Sequence, residues 1–418
     1  MARFLVTGGI PLKGTITANG SKNSALPIIT AAALAAEGES VLENVPRYTD
    51  ILDLCEILRQ LGARVEWDGS CTLRVAAPEL TAGEAPYHLA RKLRGSTYVV
   101  GLLLARRGQA EVAVPGGCDI GARPVDFHLR GFRSLGAETR VEHGSILAQA
   151  RRLEGTVIFV DRASVGTTVN LMITASLASG TTVLENAARE PEIVDLANFL
   201  NGMGGHVRGA GTNVIRIEGV EVLHGTRHEV IPDRIEAGTY LIAGVATGGR
   251  VRVENAIPEH LRTVLAKLEE AGAQVAEGTD WVEAWANGRL QAVDIQTQPY
   301  PGFPTDLQSP FVSLLSLAEG VSVVEETIFD NRFGFANELI RMGADIKVER
   351  NTALVRGGER LTGAPIEARD IRGGAALMVA GLSAEGETEI GGMRHIDRGY
   401  HAMEEKLTAL GARVRRGE

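Results

Sequence analysis

Two short sequence signatures alternate along the chain and divide it into repeats. The first reads Leu61-Gly62-Ala63, and related tripeptides recur at intervals of 68 to 74 residues as far as Leu410-Gly411-Ala412. The second ends an almost wholly apolar stretch with a glycine, as in residues 34–38 and 104–108. Each signature occurs six times, so the 418 residues form six units of about 70 residues. Such periodicity indicates one supersecondary unit copied along the chain.

The hydrophobic pattern of each unit predicts two helices and several strands. The first helix, for example residues 25–36 or 171–178, is apolar on every side, which indicates complete burial. A strand with partly alternating polarity follows it, as in residues 40–45. The second helix is amphipathic, and its apolar stripe from Ile51 to Leu61 ends at Gly62. A hairpin completes the unit.

Six repeats would form a linear solenoid by default. Two features favour closed domains instead, namely the length of the unit and a first helix too apolar for the outer face of a solenoid. We therefore expect two domains, each with strands wrapped around three buried helices, divided near residues 230–233. A chain that starts in one domain and returns to it after an insertion fits the same pattern.

Composition and charge exclude several classes of function. There are 43 Lys and Arg against 52 Asp and Glu, a net charge of −9. This argues against nucleic acid as a partner, because phosphate backbones need a basic face. Three cysteines are too few for a disulfide framework and fit a cytoplasmic location. We find no signal peptide, no apolar run of the roughly 18 residues that span a bilayer, and no Cys/His cluster with zinc spacing.

Cations lie where several buried helices are predicted to begin. They are Lys22, Arg94 and Arg372, and capping residues such as Ser21 and Ser164 occupy similar positions. A helix N-terminus carries unpaired N–H groups and partial positive charge, so it repels a cation unless an anion is bound. We interpret these helix starts as anion-binding positions. Ordinary capping remains the alternative for the serines and threonines.

A loop rich in proline and glycine carries one cysteine. It spans residues 115–128 and contains Cys118, with Arg123 five residues later. Nearby cations and helix N-termini would lower the pKa of the thiol, which could then serve as an acid or a nucleophile. A tolerated surface thiol is the alternative. Cys55 lies on an apolar helix stripe and is expected in the core, and Cys71 in a hairpin strand is expected to be structural.

The six-unit pattern and the segment Pro115-Gly116-Gly117-Cys118-Asp119-Ile120-Gly121-Ala122-Arg123-Pro124 resemble the UDP-N-acetylglucosamine enolpyruvyl transferases. The resemblance covers essentially the whole chain, including residues 21–23, 164–166, 185–192, 232–236, 303–306 and 395–400. It implies an α/β fold of the EPSP synthase type, an inside-out α/β barrel in two domains. One domain would comprise residues 22–231 and the other residues 1–21 plus 232–418.

The resemblance also implies an activity. Enolpyruvate passes from phosphoenolpyruvate to the 3-hydroxyl of UDP-N-acetylglucosamine with release of phosphate, which is the first committed step of peptidoglycan synthesis. No cofactor or metal is implied, and we expect a monomer with small-molecule substrates, no nucleic acid and no membrane. Two alternatives are a related transferase with another acceptor, such as shikimate phosphate, and a binding protein without activity.

Individual roles follow from the same resemblance. Cys118 is implied as the acid that protonates the enol carbon and can form a covalent adduct, and Asp306 as the group that orients or deprotonates the sugar hydroxyl. Lys22 and Arg398 complete the catalytic set. The implied substrate-binding residues are Lys22, Asn23, Arg94, Arg123, Pro124, Val125, Asp126, Phe127, Arg162, Ala163, Ser164, Val165, Gly166, Asp306, Ile328, Arg332 and Arg372.

Overall fold

The computed structural model describes residues 3–116 and 125–417. The contacts between these residues divide them into two compact units. Residues 20–116 and 125–231 form one, here called the inserted unit, and residues 3–19 and 232–417 form the other, called the flanking unit. Each unit has its own apolar core.

Helices and strands alternate throughout both units. The α-helices of the described residues are α1 (Lys22–Ala32), α2 (Thr49–Gln60), α3 (Tyr87–Ala90), α4 (Tyr98–Arg107), α5 (Asp126–Ser134), α6 (Val165–Ala175), α7 (Pro191–Gly202), α8 (Arg234–Ala246), α9 (Arg262–Glu270), α10 (Thr305–Leu315), α11 (Ala336–Arg341), α12 (Ile371–Ser383), α13 (Met393–Ile396) and α14 (Met403–Ala409). Short 3-10 helices span Arg94–Thr97 and Pro258–Leu261.

The strands of the described residues are β1 (Arg3–Thr7), β2 (Lys13–Thr17), β3 (Ser40–Glu43), β4 (Arg64–Asp68), β5 (Thr72–Ala76), β6 (Gln109–Ala113), β7 (Glu138–Glu142), β8 (Ser145–Gln149), β9 (Val157–Phe159), β10 (Thr181–Glu185), β11 (His206–Arg208), β12 (Val214–Glu218), β13 (Arg227–Glu229), β14 (Arg250–Glu254), β15 (Gln274–Glu277), β16 (Trp281–Trp285), β17 (Ile295–Gln296), β18 (Val321–Glu325), β19 (Asp345–Glu349), β20 (Thr352–Arg356), β21 (Pro365–Glu367), β22 (Glu387–Gly391) and β23 (Arg413–Gly417).

Each repeat forms one small mixed sheet. In the inserted unit the strand orders are β13-β3-β5-β4, β6-β8-β7 and β11-β12-β10-β9. In the flanking unit they are β21-β22-β1-β23, β15-β16-β14-β2 and β17-β18-β20-β19. Every four-stranded sheet has one parallel pair and two antiparallel pairs, and in the three-stranded sheet a single bridge between Glu84 and Glu111 takes the parallel position.

The strand pairing closes each unit on itself. In the inserted unit β13, its last strand, pairs in parallel with β3, its first. In the flanking unit the N-terminal strand β1 lies between β22 and β23, and β2 pairs in parallel with β14. A solenoid would leave its first and last repeats unpaired. The prediction of closed domains is therefore correct for each unit.

Three helices form the centre of each unit, namely α1, α4 and α6 in one and α8, α10 and α12 in the other. Every residue from 235 to 245 in α8 and from 372 to 382 in α12 is buried. Sequences apolar on every side can fold in this way because the sheets of the same unit cover them. None of the helices in the described part of the chain is long and apolar enough to cross a membrane.

The glycine of the first signature takes the same backbone conformation in all six repeats. Its φ is 107° at Gly62 and lies between 93° and 96° at Gly136, Gly204, Gly272, Gly343 and Gly411. A side chain at this φ would clash with its own backbone, so glycine is the residue that ends the second helix here. The recurrence of the signature thus reflects one repeated helix end.

The predicted bounds of the first helices differ from the observed ones. Helix α1 begins at Lys22 rather than at residue 25, because the Ser21 side chain caps it by accepting a hydrogen bond from the Ser24 N–H at 3.3 Å. It ends at Ala32 because the backbone then changes to hydrogen bonds that span three residues, such as Leu34 N–H to Ala31 O at 2.8 Å. Similarly, α6 covers residues 165–175 instead of 171–178.

Candidate active site

An acidic side chain meets two arginines in the flanking unit. Asp306 is the second residue of α10, and Arg372 is the second residue of α12. The Oδ1 atom of Asp306 accepts a hydrogen bond from Arg332 Nη2 and its Oδ2 atom accepts one from Arg372 Nη2, both at 2.8 Å. The Arg332 and Arg372 side chains are 3% and 6% exposed, and that of Asp306 is 25% exposed. Three residues predicted for substrate binding are therefore in direct contact.

The carboxylate changes the electrostatics of this cluster. Burial, the largest single influence, lowers the pKa of Arg372, but the charge and hydrogen bond of Asp306 together with Tyr400 and Asp233 outweigh burial and raise that pKa. A carboxylate with a guanidinium on each oxygen is stabilised in its ionised form and is a weak proton acceptor. This geometry favours an orienting role for Asp306 over a role as general base.

A buried chain of hydrogen bonds holds Arg372. Its Nη1 donates to the Tyr400 hydroxyl at 3.3 Å, and the Tyr400 hydroxyl lies 2.8 Å from the Thr239 hydroxyl, which donates to the Ile235 carbonyl. Tyr400 is 1% exposed, and burial raises the pKa of its hydroxyl. Tyr400 lies in the segment 395–400, which belongs to the resemblance, but it is not among the predicted site residues. Only the contact between distant elements identifies it.

Two further predicted residues of the flanking unit lie in turns. Arg398 follows α13 and is half-buried. Ile328 follows β18, and its backbone N–H donates to the Glu326 carboxylate at 2.8 Å. Glu326 is not among the residues that the sequence predicts for the site.

In the inserted unit, Lys22 also has a carboxylate partner. Lys22 is the first residue of α1, and its Nζ lies 2.9 Å from Oδ2 of Asp50 in the first turn of α2. Both side chains are less than 10% exposed. Asn23 follows on α1 and is half-buried. Lys22 is a predicted site residue, and Asp50 is not.

Lys22 and Arg372, at the N-termini of buried helices, have partners other than the bound anion that the sequence predicts. The structure supplies carboxylates of the protein itself, Asp50 and Asp306 respectively. These cations therefore do not by themselves require an external anion, although they remain basic groups at helix starts.

The predicted residues near position 164 form the capped N-terminus of α6. Ser164 caps α6 by accepting a hydrogen bond from the Thr167 N–H at 3.3 Å. Val165 and Gly166 form its first turn, Ala163 precedes the cap, and Arg162 is exposed. This agrees with the prediction that a cap occurs here.

His128 lies close to Gly166 and is affected by the charge of Arg94, although nothing in the sequence singles it out. It lies on α5, and a Cβ atom added to Gly166 would be 3.4 Å from its ring. Its Nδ1 is 3.0 Å from the Asn170 amide nitrogen, which identifies Nδ1 as the acceptor. Burial, followed by the charge of Arg94, lowers the pKa of His128 to about 4. The imidazole is thus neutral, with its proton on Nε2.

The start of α5 carries the remaining described positions. Val125 and Phe127 are half-buried, and Asp126, the first residue of the helix, is exposed. The Arg130 guanidinium lies 6.0 Å from the centre of the Phe127 ring. Arg94 begins the 3-10 helix before α4 and is half-buried.

The cysteines divide into three cases. Cys118, together with the predicted residues Arg123 and Pro124, lies outside the described residues. Cys55 is fully buried as predicted, and burial raises the pKa of its thiol to about 12. Cys71 is exposed, contrary to the expected structural role, because it occupies the hairpin turn just before β5 rather than the strand.

A cavity in the flanking unit is separate from these residues. It has a volume of about 520 Å³ and is lined by side chains of α9, β17 and β18. None of the predicted site residues lines it. Within residues 3–116 and 125–417, no group of three or more His, Cys, Asp and Glu side chains could hold a metal ion.

The fold and these clusters define a class of protein. The family model described as EPSP synthase (3-phosphoshikimate 1-carboxyvinyltransferase) matches residues 6–407, so the chain belongs to the EPSP synthase family. Among solved structures, the enolpyruvyl transferase NikO from Streptomyces tendae is 28% identical with a TM-score of 0.89, and the alignment covers 99% of this chain and 98% of that one.

A second solved structure, EPSP synthase from Acinetobacter baumannii, matches over 100% of both chains with a TM-score of 0.78 at 18% identity. At this low identity the match shows the fold alone. Together with the family model, these structures confirm the predicted α/β fold of the EPSP synthase type.

The curated relatives are more specific. UDP-N-acetylglucosamine 1-carboxyvinyltransferase 2 of Symbiobacterium thermophilum is 68% identical over 415 residues, which are 99% of this chain and 98% of the relative. UDP-N-acetylglucosamine 1-carboxyvinyltransferase of Halothermothrix orenii is 51% identical over 416 residues, or 100% of both chains. These full-length matches confirm the resemblance that the sequence motifs predicted.

Proposed function

We propose that the protein is an enzyme that transfers enolpyruvate from phosphoenolpyruvate to the 3-hydroxyl of UDP-N-acetylglucosamine, with release of phosphate. This is the first committed step of peptidoglycan synthesis. The names of relatives up to 68% identical over nearly the full chain support this reaction and this acceptor. The structural observation that carries the proposal is the contact of Asp306 with two buried arginines, because it combines an acidic group for a hydroxyl with basic groups for anions.

The reaction is an addition followed by an elimination. The sugar oxygen forms a bond to C2 of phosphoenolpyruvate while C3 gains a proton, for which Cys118 is the proposed donor. The C2–O bond to phosphate then breaks, and C3 loses a proton to restore the double bond. Fixed cations stabilise the departing phosphate, and the proposed cations are Lys22, Arg398 and Arg123.

Asp306 has an orienting role in this proposal. Its oxygens are held by Arg332 and Arg372, so the carboxylate has one fixed orientation towards a hydroxyl donor. Proton transfer from the sugar would then have to be concerted with attack, because an ionised carboxylate paired in this way is a weak base. The remaining positions, Asn23, Arg94, Pro124, residues 125–127 and 162–166, and Ile328, are proposed to bind the substrates.

The test of the reaction is phosphate release by the full chain. We expect release with phosphoenolpyruvate and UDP-N-acetylglucosamine together and none with either alone. Release only with shikimate phosphate as acceptor would reject the proposed acceptor and retain an enolpyruvyl transfer. An absence of release with both acceptors would reject the enzyme activity.

Lys22→Ala tests the assignment of the phosphoenolpyruvate site. Since Lys22 is a buried cation at a helix start, its loss should weaken phosphoenolpyruvate binding far more than UDP-sugar binding in calorimetry. Asp50→Asn is the matched variant, because it keeps the cation and removes its partner. Equal weakening of both substrates by Lys22→Ala would contradict the role.

We also place the enzyme in the cytoplasm and expect a monomer. The two described cysteines, Cys55 and Cys71, are free thiols, which fits a reducing compartment. Sedimentation equilibrium at micromolar concentration measures the mass, and a value of twice 44.4 kDa would reject the monomer.

A further inference from the structure

A buried carboxylate outside the predicted site is satisfied entirely by neutral donors. Glu326 is 1% exposed and directly follows β18. Its Oε1 accepts from the Thr297 hydroxyl at 3.0 Å and from the backbone N–H groups of Ile328 and Phe329 at 2.8 and 3.1 Å. Its Oε2 accepts from the Thr305 hydroxyl at 2.9 Å. Hydrogen bonds to an ionised acceptor are stronger than neutral ones, so four of them fix the surrounding backbone.

The sixfold repeat shows that the fold itself does not need a carboxylate there. The residue after the equivalent strand is Asn44, Asn186 or Asn255 in three other repeats. Each of these asparagines donates from its side chain to the carbonyl that follows the parallel partner strand, at 2.9, 2.7 and 2.9 Å. In those three repeats asparagine, at a φ between 52° and 57°, therefore suffices to join the two strands.

In this repeat the corresponding residue after the parallel strand is Thr297, and Glu326 still contacts it, through the hydroxyl. The longer side chain of the glutamate makes two further contacts. Its second oxygen bonds Thr305, the residue before Asp306, and its first oxygen orders the turn that carries Ile328. Both added contacts lead to residues proposed for the substrate site.

The Thr305–Asp306 segment is thus held from two directions. Glu326 binds the Thr305 side chain, and Arg332 donates to the Thr305 carbonyl at 3.4 Å and to Asp306 at 2.8 Å. Both Glu326 and Arg332 belong to the same loop after β18. The loop and the start of α10 consequently form one hydrogen-bonded assembly around the carboxylate of Asp306.

We propose that Glu326 is a positioning residue, which acts through Thr305 to fix Asp306 and through its own turn to fix Ile328. The inference rests on the proposed enolpyruvyl transfer, in which Asp306 orients the sugar hydroxyl. A displacement of about 1 Å at a reacting group can lower a rate by roughly 100-fold. The hydrogen bond between Glu326 and Thr305 should therefore influence turnover more than stability.

Three variants separate positioning from folding. Glu326→Asn removes the acceptor of four buried donors, so its thermal unfolding midpoint should fall, and the folded fraction is measured beside kcat. Thr305→Val removes the hydroxyl that meets Oε2 and leaves the three donors on Oε1 intact. Thr305→Ser keeps the hydroxyl and is the matched control. The assay is steady-state phosphate release with UDP-N-acetylglucosamine and phosphoenolpyruvate.

We expect kcat to fall at least about tenfold in Thr305→Val, with KM for the UDP-sugar nearly unchanged, and to remain near the wild-type value in Thr305→Ser. Glu326→Asn should lower kcat and also raise KM for the UDP-sugar, because the Ile328 turn loses its acceptor. In an Asp306→Asn background, Thr305→Val should have little additional effect, since its influence passes through that carboxylate.

Wild-type kcat in Thr305→Val would overturn the inference, as would a loss that is fully additive with Asp306→Asn. A kcat loss in proportion to the loss of folded protein would also overturn it, because the role would then be structural. The wild-type protein in the same assay separates the two proposals: if it turns over, a failure concerns Glu326 alone. If it does not turn over, both proposals fail.

Discussion

Asp306 should act as the counter-ion of two buried arginines, and removing its charge tests this directly. In Asp306→Asn, one side-chain oxygen can still accept from a guanidinium, but the new amide NH₂ faces the other guanidinium as donor against donor. Arg332 and Arg372 are 3% and 6% exposed, so water cannot readily replace the lost acceptor. The variant leaves buried positive charge without a full partner.

The size of the effect follows from the contacts. A hydrogen bond to a charged group contributes about 1.5–3 kcal/mol. Asp306 makes two at 2.8 Å, and its 25% exposure places the combined loss in the lower part of the range. We expect the free energy of unfolding to fall by about 3–4 kcal/mol.

Tryptophan fluorescence can follow the unfolding of the flanking unit, which contains Asp306. Trp281 and Trp285 lie in the flanking unit with Asp306, and Trp67 lies in the inserted unit. In a Trp67→Phe background, urea unfolding therefore reports on the flanking unit. Asp306→Asn should lower the unfolding midpoint in this background and leave the slope with urea unchanged.

An inorganic anion should partly restore the variant. If Arg332 and Arg372 lack their carboxylate, phosphate can pair with them, and binding only to the folded state stabilises it by about 1.4 kcal/mol at ten times the dissociation constant. Phosphate should stabilise the wild-type protein less, because Asp306 already pairs with both guanidinium groups. Chloride at equal ionic strength is the control. A variant as stable as the wild type, or one that phosphate stabilises no more than the wild type, would refute this reasoning.

Three further results are expected. Maleimide should label Cys71 in the folded protein and Cys55 only after unfolding, because the first is exposed and burial raises the pKa of the second to about 12; mass mapping with equal rates at both thiols would contradict this. The pKa of His128 is about 4 in the folded protein against 6.5 in a free histidine, so the unfolded chain binds a proton first as the pH falls. The free energy of unfolding should therefore decrease by up to roughly 3 kcal/mol between pH 6.5 and pH 4. His128→Asn should remove this decrease in urea titrations at a series of pH values. The resemblance implies that Arg372 holds the charges of phosphoenolpyruvate. Tyr400→Phe removes the hydroxyl that accepts from Arg372 and should raise KM for phosphoenolpyruvate severalfold with circular dichroism unchanged, whereas an unchanged KM would show that Tyr400 does not support that arginine.

The repeated features were predictable because they depend on local sequence. The second helix of each repeat ends at a residue with positive φ, which favours glycine. Gly62 and its five counterparts take this position, so the same tripeptide marks the same helix end six times. Ser21 and Ser164 were likewise recognisable as caps, because a cap requires only the residue and the helix that follows it. Closure of each unit followed from the burial of its first helices.

The partners of the site residues could not be predicted in this way. Asp50 is 28 positions from Lys22, and Asp306 is 66 positions from Arg372, so only the assembled fold shows that they meet. The cations at the helix starts were predictable, but their partners are carboxylates of the protein and not the external anion that the sequence predicts. Cys71 was misassigned because the hairpin turn extends one residue further than its polarity indicated.

Comparison among the repeats adds information that neither the motifs nor the contacts hold alone. Because Asn44, Asn186 and Asn255 meet the structural need after their strands, a different residue at the equivalent place requires another explanation. Glu326 differs from them in charge and length, and its additional contacts lead to the start of α10, where Asp306 lies. Val114 and Gly392 follow the equivalent strands of two other repeats, so a departure from asparagine does not by itself indicate function. The contacts of Glu326 with Thr305 and with the Ile328 turn are what distinguish it.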